Sequence, residues 1–459
     1  MLCNNVNKQR GEITISSSEV SCDANDQLEI GEKLVVFLLK VINISGSGTA
    51  IYKGSYKDRV VAVKRILRSH IILANQEIAN LKAFQQHQNV VRFYGEGRDR
   101  DFLYLALELC DCDLNDLIQL YSPDSSQNMT ISSNLEKLRN NLGDVQLWKE
   151  NNGRPSPLLL KLMRDMVSGL VVVHDMGIIH RDLKPQNILI IKESSTLCAK
   201  ISDMGISRKL RDNKASLTKS TTGCGTTGWK AKEWLLFERQ TLAMDLFSLG
   251  CLLFFCITHG RHPFGDHDER NRNIRNDDAQ DLYLVQDFPE AFHLISLLLK
   301  ADHNLRPKAI EVLHHPLFWN AEKRLSFFRD TSDRVSKNNN LFEALESTAD
   351  TSLGTEKMCW INVILGWNKK VHAEIIMYIF TGANGAYEFS SVRDLLRLIG
   401  YILNHYQELP NVIQNLVGSL YEGIDDYFTR RFPLLLIEVY KVVCLYKEDE
   451  CLKKYFNAI

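Results

Sequence analysis

The sequence has almost no net charge: 55 lysines and arginines stand against 56 aspartates and glutamates, a formal balance of -1. That excludes a chain that coats nucleic acid through bulk charge, so any RNA contact must be local. No C-x-x-C pair occurs among its 11 cysteines, and the closest two, Cys110 and Cys112, are separated by a single residue, which is poor zinc-ligand spacing. A scattered, odd-numbered set reads as reduced thiols in a cytosolic or nuclear compartment. Long apolar runs are also missing. The run "LVVFLLKVINI" is interrupted by a lysine and falls far short of the ~20 residues of a spanning helix. The opening "MLCNNVNKQRGEITISSSEV" has no apolar signal-peptide core, so a soluble, cytoplasmic chain without a membrane segment is expected.

What is present is globular: 45% hydrophobic and 24% charged residues in a chain of 459, too long for one ordinary core. Residues 1–33, rich in Ser, Asn, Asp and Glu, read as a flexible tail. From Leu34 the β-branched runs "LVVFLLKVINI", "TAIYKGSY" and "RVVAVKRIL" are separated by turn residues, and "IILANQEIANLKAF" follows at helical spacing. That pattern predicts a small antiparallel lobe with one helix. The polar stretch at about 122–157 reads as a surface insertion without an element of its own, with the next helix starting at Pro157 to Leu160. Helical periods then run to Trp319, and after the polar "RDTSDRVSKNNN" the last third is again helical. The expected architecture is therefore α+β: a two-lobed domain over 34–319, an all-α domain over 320–444 and a tail over 445–459.

The most specific stretch is "HRDLKPQN", His180 to Asn187, which resembles the catalytic loop of protein kinases wherever that loop carries chemistry. Lys64 ends "VAVK", Glu77 lies in "NQEIANL" and Asp203 opens "DMG", in kinase order. Phosphoryl transfer explains these residue types, because the charge spread over the moving group needs cations held in place. The resemblance implies ATP and Mg²⁺ as cofactors. Lys64, locked by Glu77, would grip the α- and β-phosphates; Asn187 and Asp203 would hold the metal; Asp182 would accept the hydroxyl proton and Lys184 steady the γ-phosphate. Glu108 and Cys110, in "LELCDC", join the nucleotide-binding candidates, as do Gly46 and Gly48 of "NISGSGTAIYKG". Asp245 in "MDLFSLG" and Arg306 in "NLRP" resemble the buried anchors of a kinase helical lobe.

Three positions depart from the kinase pattern. Asn43 and Ser45 stand where the first two glycines of the phosphate loop are expected, implying looser closure over nucleotide. Met204 replaces the phenylalanine of D-F-G but still suits an apolar slot. Lys232 replaces the proline of A-P-E, while Glu233 remains able to pair with Arg306. Between Asp203 and Glu233, the segment 206–230 carries Ser216, Thr218, Ser220, Thr221 and Thr222 among basic residues. It suits an activation segment ordered when a new phosphate meets arginine or lysine, so the protein substrate includes the chain itself.

Past the kinase-like region, "RLSFFRDTSDRV", "SVRDLLR", "NHYQELP" and "YEGIDDYFTRRFPLLLIEVYKVV" follow. Together with the kinase motifs they resemble the kinase-extension-nuclease (KEN) module of the inositol-requiring-enzyme family, the unfolded-protein-response kinase/endoribonucleases, and more distantly ribonuclease L. "SDMGISRKL", the insertion after "DLNDLI" and the C-terminal wording are most similar to plant members. The resemblance implies nucleotide-dependent pairing, as a homodimer or with a related kinase/nuclease. It also implies metal-free cleavage of RNA stem-loops with the 2′-hydroxyl as nucleophile. For a chain with no expected membrane segment, association with the ER surface or nucleus through partners is the accompanying expectation.

Such cleavage needs a base or polariser, a general acid and donors for the crowded phosphate. Ser391 with Asp394 three residues on predicts a capping box, and Val392, Leu395, Leu396, Ile399 and Leu403 form a buried stripe. Asp394, Arg397, Tyr401 and His405 fall on another face. By the resemblance, His405 takes the general-acid position and Tyr387 the tyrosine position. The family's next two residues, arginine and asparagine, are Gly400 and Tyr401 here. Each lost phosphate donor costs ~3 kcal/mol, or two to three decades in rate. Two readings follow: a kinase with residual or altered endoribonuclease, Arg397 reaching the phosphate from one turn away, or a regulatory partner that dimerises and cuts no RNA.

Overall fold

The computed structural model describes residues 26–31, 33–44, 49–84, 87–123, 133–194, 196–210, 226–354, 366–381 and 386–456. They fall into two compact units, one from residues 1–71 with 94–109, the other from 72–93 with 110–459.

The first unit is a six-stranded sheet in the order β1-β2-β3-β4-β6-β5. Its strands are β1 Gln27–Ile30, β2 Leu34–Ile44, β3 Ala50–Tyr56, β4 Arg59–Leu67, β5 Phe93–Arg98 and β6 Phe102–Leu107. Alternation decides which face is buried: Val61 and Val63 of β4 and Leu34 and Val36 of β2 are at most 1% exposed and form its core. The expectation of a tail to residue 33 is corrected at β1, whose Leu28 and Ile30 pair with Val36 and Leu34. A short polar flank hid this strand, because only the partner edge satisfies its backbone.

The second unit opens with α1, Ile71–Ala83, as the helical spacing predicts. It continues through β7 Cys112–Asp113, α2 Leu114–Tyr121, α3 Ser133–Leu142 and α4 Pro157–Asp175, then β8 Ile178–Ile179, β9 Ile188–Glu193, β10 Thr196–Ile201 and β11 Arg208–Lys209. α4 begins at the predicted proline, with Ser156 Oγ accepting from Leu159 N at 3.2 Å as its cap. α3 corrects the reading of 122–157 as an insertion without an element. Its sequence "SNLEKLRNNL" is too polar to show a buried stripe, and its end is held by Lys192 Nζ donating to Asn141 O and Leu142 O.

The helices α5 Lys232–Leu235, α6 Ala243–Ile257, α7 Arg270–Arg275, α8 Pro289–Leu298 and α9 Ala309–Leu313 complete the kinase-like region. α6 is apolar apart from Asp245 and Ser248 and is the buried axis, every residue from Met244 to Ile257 being buried.

The last third is helical: α10 Ala321–Val335, α11 Asn339–Glu346, α12 Ala349–Leu353, α13 Ala373–Thr381, α14 Val392–Asn404, α15 Asn411–Val417, α16 Glu422–Arg431 and α17 Leu435–Val443. One core runs from Trp319 and Phe327 through Leu395 and Ile399 to Tyr440. It also takes in Leu452 and Tyr455, 0% and 2% exposed, so the expected tail from 445 is instead packed through at least Phe456. Tyr455 donates its hydroxyl to Asp330 Oδ2 at 2.6 Å, a long-range partner that local sequence cannot reveal. Among the described residues no helix is long and apolar enough to cross a membrane. The cysteines described, Cys110, Cys112, Cys198, Cys251, Cys256, Cys444 and Cys451, are all free thiols.

Candidate functional site

Asp182 lies in the loop between β8 and β9, fixed on both carboxylate oxygens. Oδ1 accepts from Thr226 N at 3.0 Å and Thr226 Oγ1 at 2.8 Å. Oδ2 accepts from Asn187 Nδ2 at 2.9 Å and lies 3.0 Å from Lys184 Nζ. Lys184 Nζ also donates to Thr226 Oγ1 at 2.6 Å, closing a ring of three side chains around one carboxylate. Charge-assisted bonds of this kind are the stronger ones and set the carboxylate's orientation in advance.

This loop is strained at Arg181, φ 74°, and the segment after β10 is strained at Asp203, φ 59°. Such non-glycine left-handed residues cost ~1–3 kcal/mol each and persist only where surroundings hold them. Asp245 does this from inside α6: it accepts from His180 N at 2.7 Å and Arg181 N at 2.9 Å, and meets His174 Nε2 at 3.0 Å. The His180 ring bonds Ser202 O at 2.9 Å, tying the loop to the residue before Asp203. α1 reaches the same segment, with Gln76 Nε2 and Asn80 Nδ2 donating to Ser207 at 3.0 and 2.8 Å. Met204 is 0% exposed and fills the apolar slot, as expected. The anticipated Glu233–Arg306 pair is bidentate, 2.6 and 3.0 Å, and buried. Lys232, in the proline position, instead pairs with Asp277.

Asp182, Lys184 and Asn187 are thus brought together, and Ser202 N donates to Asn187 O, leaving Asp203 next in the chain to that contact. An amide oxygen and a carboxylate are the hard oxygen donors that suit Mg²⁺. Lys64 and Glu108 belong to the first unit, both 8% exposed, while Glu77 is buried and Cys110 half-buried in the second. Gly46, Gly48, Ser216, Thr218, Ser220, Thr221 and Thr222 lie outside the described residues. Thr226 was not among the expected site residues. Its place in "GTTGW", just ahead of the A-x-E segment, was the available signal.

The second cluster surrounds α14. All five residues of the predicted stripe are buried, but Asp394, expected on the other face, is only 1% exposed. The capping box is half formed: Ser391 Oγ accepts from Asp394 N at 3.2 Å, whereas Asp394 Oδ2 turns to Glu388 N at 2.7 Å. Glu346, at the end of α11, completes the cap by accepting from Ser391 Oγ, Val392 N and Arg393 N at 2.8–3.0 Å. A buried helix start needs such partners, and this one comes from 45 residues away.

Tyr387 is 8% exposed, edge-on to Trp367 and under Arg397, whose guanidinium is 4.0 Å from its ring centroid. Burial pushes its phenol up, Arg397 opposing and Asp394 and Tyr401 adding to the shift. His405 caps the end of α14, with Nδ1 2.9 Å from Glu408 Oε2 and its ring 4.7 Å from that of Tyr401. Tyr401 is thus the immediate ring neighbour of His405.

A family profile described as "Protein kinase domain" matches residues 44–318, and one described as "Ribonuclease 2-5A" matches 324–456. The chain is 51% identical over 423 residues to the serine/threonine-protein kinase/endoribonuclease IRE1b of Arabidopsis thaliana, covering 90% of this chain and 46% of that protein. It is 47% identical to the rice IRE1, over 92% of this chain and 45% of the other. It is 38% identical to an "Inactive serine/threonine-protein kinase/endoribonuclease IRE1-like" of Arabidopsis, covering 90% of this chain and 76% of that protein.

The chain belongs to the IRE1 family. It spans about half the length of the plant IRE1 relatives first named, 46% and 45%. In this IRE1-family chain the two departures from the nuclease pattern are structurally different. Gly400 is buried on α14, where an added Cβ would meet Arg329 at 3.5–3.6 Å, ordinary contact. Tyr401 projects a ring beside His405 and Tyr378, with centroids 4.7 and 6.5 Å away.

Proposed function

We propose that this chain is an ATP- and Mg²⁺-dependent serine/threonine protein kinase joined to a KEN-type endoribonuclease domain that acts in unfolded-protein-response signalling. The observation that carries the kinase reading is the Asp182–Thr226–Lys184 ring. Asp182, preset by Thr226 and Asn187, takes the proton of a substrate serine or threonine hydroxyl, and Lys184 steadies the transferring phosphate. Asn187 and Asp203 hold Mg²⁺. Lys64, Glu77, Glu108, Cys110, Gly46 and Gly48 are the residues assigned to nucleotide binding. Bound Mg-ATP supplies the phosphoryl group and neutralises its charge. The activation segment 206–230 is itself a substrate, phosphorylated within a homodimer or by a related kinase/nuclease in a heterodimer.

In the nuclease-type domain Tyr387 polarises the 2′-hydroxyl and His405, oriented by Glu408, protonates the leaving oxygen of an RNA stem-loop. Gly400 and Tyr401 supply neither the cation nor the amide of the family pattern, so cleavage is slower by two to three decades for each lost donor, ~3 kcal/mol apiece. The same two residues favour a second reading, in which the domain serves dimerisation and the kinase pocket is a nucleotide switch. On either reading the chain works in the cytoplasm and meets the ER surface or nucleus through partners.

The test incubates purified protein with labelled ATP and an RNA hairpin, beside Asp182→Ala and His405→Ala. Autophosphorylation lost only in Asp182→Ala supports the kinase. RNA cleavage lost in His405→Ala supports the nuclease, and no cleavage by any form leaves the dimerisation reading.

A further inference from the structure

Beside the Asp182 ring is a cavity of about 330 Å³, walled by Lys184, Gln186, Thr226, Trp229, His267 and Arg270 among others. Thr226 to Trp229 form one side of it, so whatever fills it lies next to the hydroxyl that Asp182 would deprotonate. None of the described lining residues is an aspartate or glutamate. Of the two permanent cations, Lys184 is already engaged by Asp182 and Thr226. His267 is largely exposed and meets Asp268 at 3.2 Å.

Arg270 is built into the wall. Its Nε donates to Gly265 O at 3.0 Å. Its stem fills the space that a Cβ on Gly228 would occupy, 2.7 Å from Arg270 Cδ. Gly228, at φ 85°, is pinned in turn by its N–H donating to Asn271 Oδ1 at 3.0 Å. A guanidinium anchored by Nε presents its remaining N–H donors as a fork, the geometry that suits carboxylate or phosphate. Burial lowers its pKa, with Asp266 among the groups opposing that shift, so an incoming anion relieves a partly desolvated cation.

We infer that this cavity binds an anionic side chain of the protein substrate, a carboxylate or a phosphorylated residue next to the phosphoacceptor, with Arg270 as the recognising cation. The inference rests on the kinase reading above and adds the substrate class. It has a consequence for the chain itself. Segment 206–230 holds a single acid, Asp212, so its serines and threonines meet the preference best once a neighbour already carries phosphate.

The test uses the full chain with Mg-ATP and a positional peptide array around a fixed serine or threonine, with alanine, lysine, glutamate or phosphoserine at each flanking position. Glutamate or phosphoserine at one position is expected to raise kcat/KM roughly tenfold over alanine. The two arms distinguish a carboxylate from a phosphate preference. Arg270→Glu is expected to reverse the preference towards lysine at that position, a ratio within one variant that survives a general loss of activity. Arg270→Lys keeps part of the acidic preference, and Arg272→Gln, at an exposed pair with Glu269, keeps all of it. Equal rates on acidic and neutral peptides, or an unchanged preference in Arg270→Glu, would overturn the inference while leaving the kinase intact. Phosphorylation of no peptide, and of no residue of the chain, overturns the kinase reading and this inference with it.

Discussion

The Arg397 guanidinium is held over the Tyr387 ring at 4.0 Å, with Nη2 donating to Ala386 O at 2.7 Å and Nη1 3.5 Å from Asp394 Oδ1. One side chain thus fastens the loop carrying Tyr387 to the helix that ends at His405. Arg397→Ala is expected to lower stability in urea unfolding by ~1 kcal/mol, the value of a partly desolvated cation–π contact. RNA cleavage should fall no further than that unfolding explains. A selective loss of cleavage in a fully folded variant would show that Arg397 serves the phosphate instead.

Restoring the family's two donors is a direct test of the nuclease-type domain. A Cβ at Gly400 meets Arg329 only at ordinary contact distance, so the backbone there admits a side chain, and the double variant Gly400→Arg with Tyr401→Asn restores both donors. It should raise hairpin cleavage by two to three decades for each donor, ~3 kcal/mol each, in a His405-dependent manner. Unchanged cleavage by the folded double variant would place the defect elsewhere.

Thr226 sits on Asp182 and Lys184 together. Thr226→Val removes the hydroxyl while keeping the shape, so autophosphorylation should slow by at least roughly tenfold with nucleotide affinity nearly unchanged, since the lost bond orients the base. Single-turnover phosphorylation beside nucleotide titration separates the two effects.

Asp425 predicts a pH dependence. Burial pushes its carboxyl up to about 6, with Arg324 and Lys149 opposing and Glu290 and Asp426 adding. A carboxyl whose value is higher folded than unfolded binds its proton more tightly in the native protein. Its contribution to stability is full below the unfolded value of ~4 and is lost as pH rises towards about 6. Asp425→Asn should therefore be more stable than wild type at pH 7.5, by up to ~3 kcal/mol, and the two should converge near pH ~4. Urea midpoints at the two pH values read the difference. A variant less stable at pH 7.5 would show that the 3.8 Å contact to Arg324 outweighs burial.

Much of the fold was legible where one face of an element meets one core. The runs that became β2, β3 and β4, the helix at Ile71–Ala83 and the buried stripe of α14 follow from period alone. Elements held by distant partners were not legible: β1, whose register comes from β2, and α3, held by Lys192. The same holds for the packed end at Tyr455, held by Asp330. In the kinase-like site the individual residues were readable as types. That Thr226 joins Asp182 to Lys184 was not, because 44 residues separate the first pair.

The sequence by itself determined which residue types and motifs this chain carries: kinase-like motifs holding Lys64, Asp182, Asn187 and Asp203, and an amphipathic helix with Gly400 and Tyr401 at its end. Local spacing suffices for that, since motifs and periods are properties of neighbouring residues. Only the tertiary structure decided that Glu346 rather than Asp394 completes the cap of α14, and that Arg397 turns to Tyr387. It alone placed Arg270, anchored through Gly265 and Gly228, in a cavity wall beside the catalytic loop. These are choices among partners far apart in the chain, and packing settles them because each buried polar group must find the donor or acceptor that the fold brings within reach.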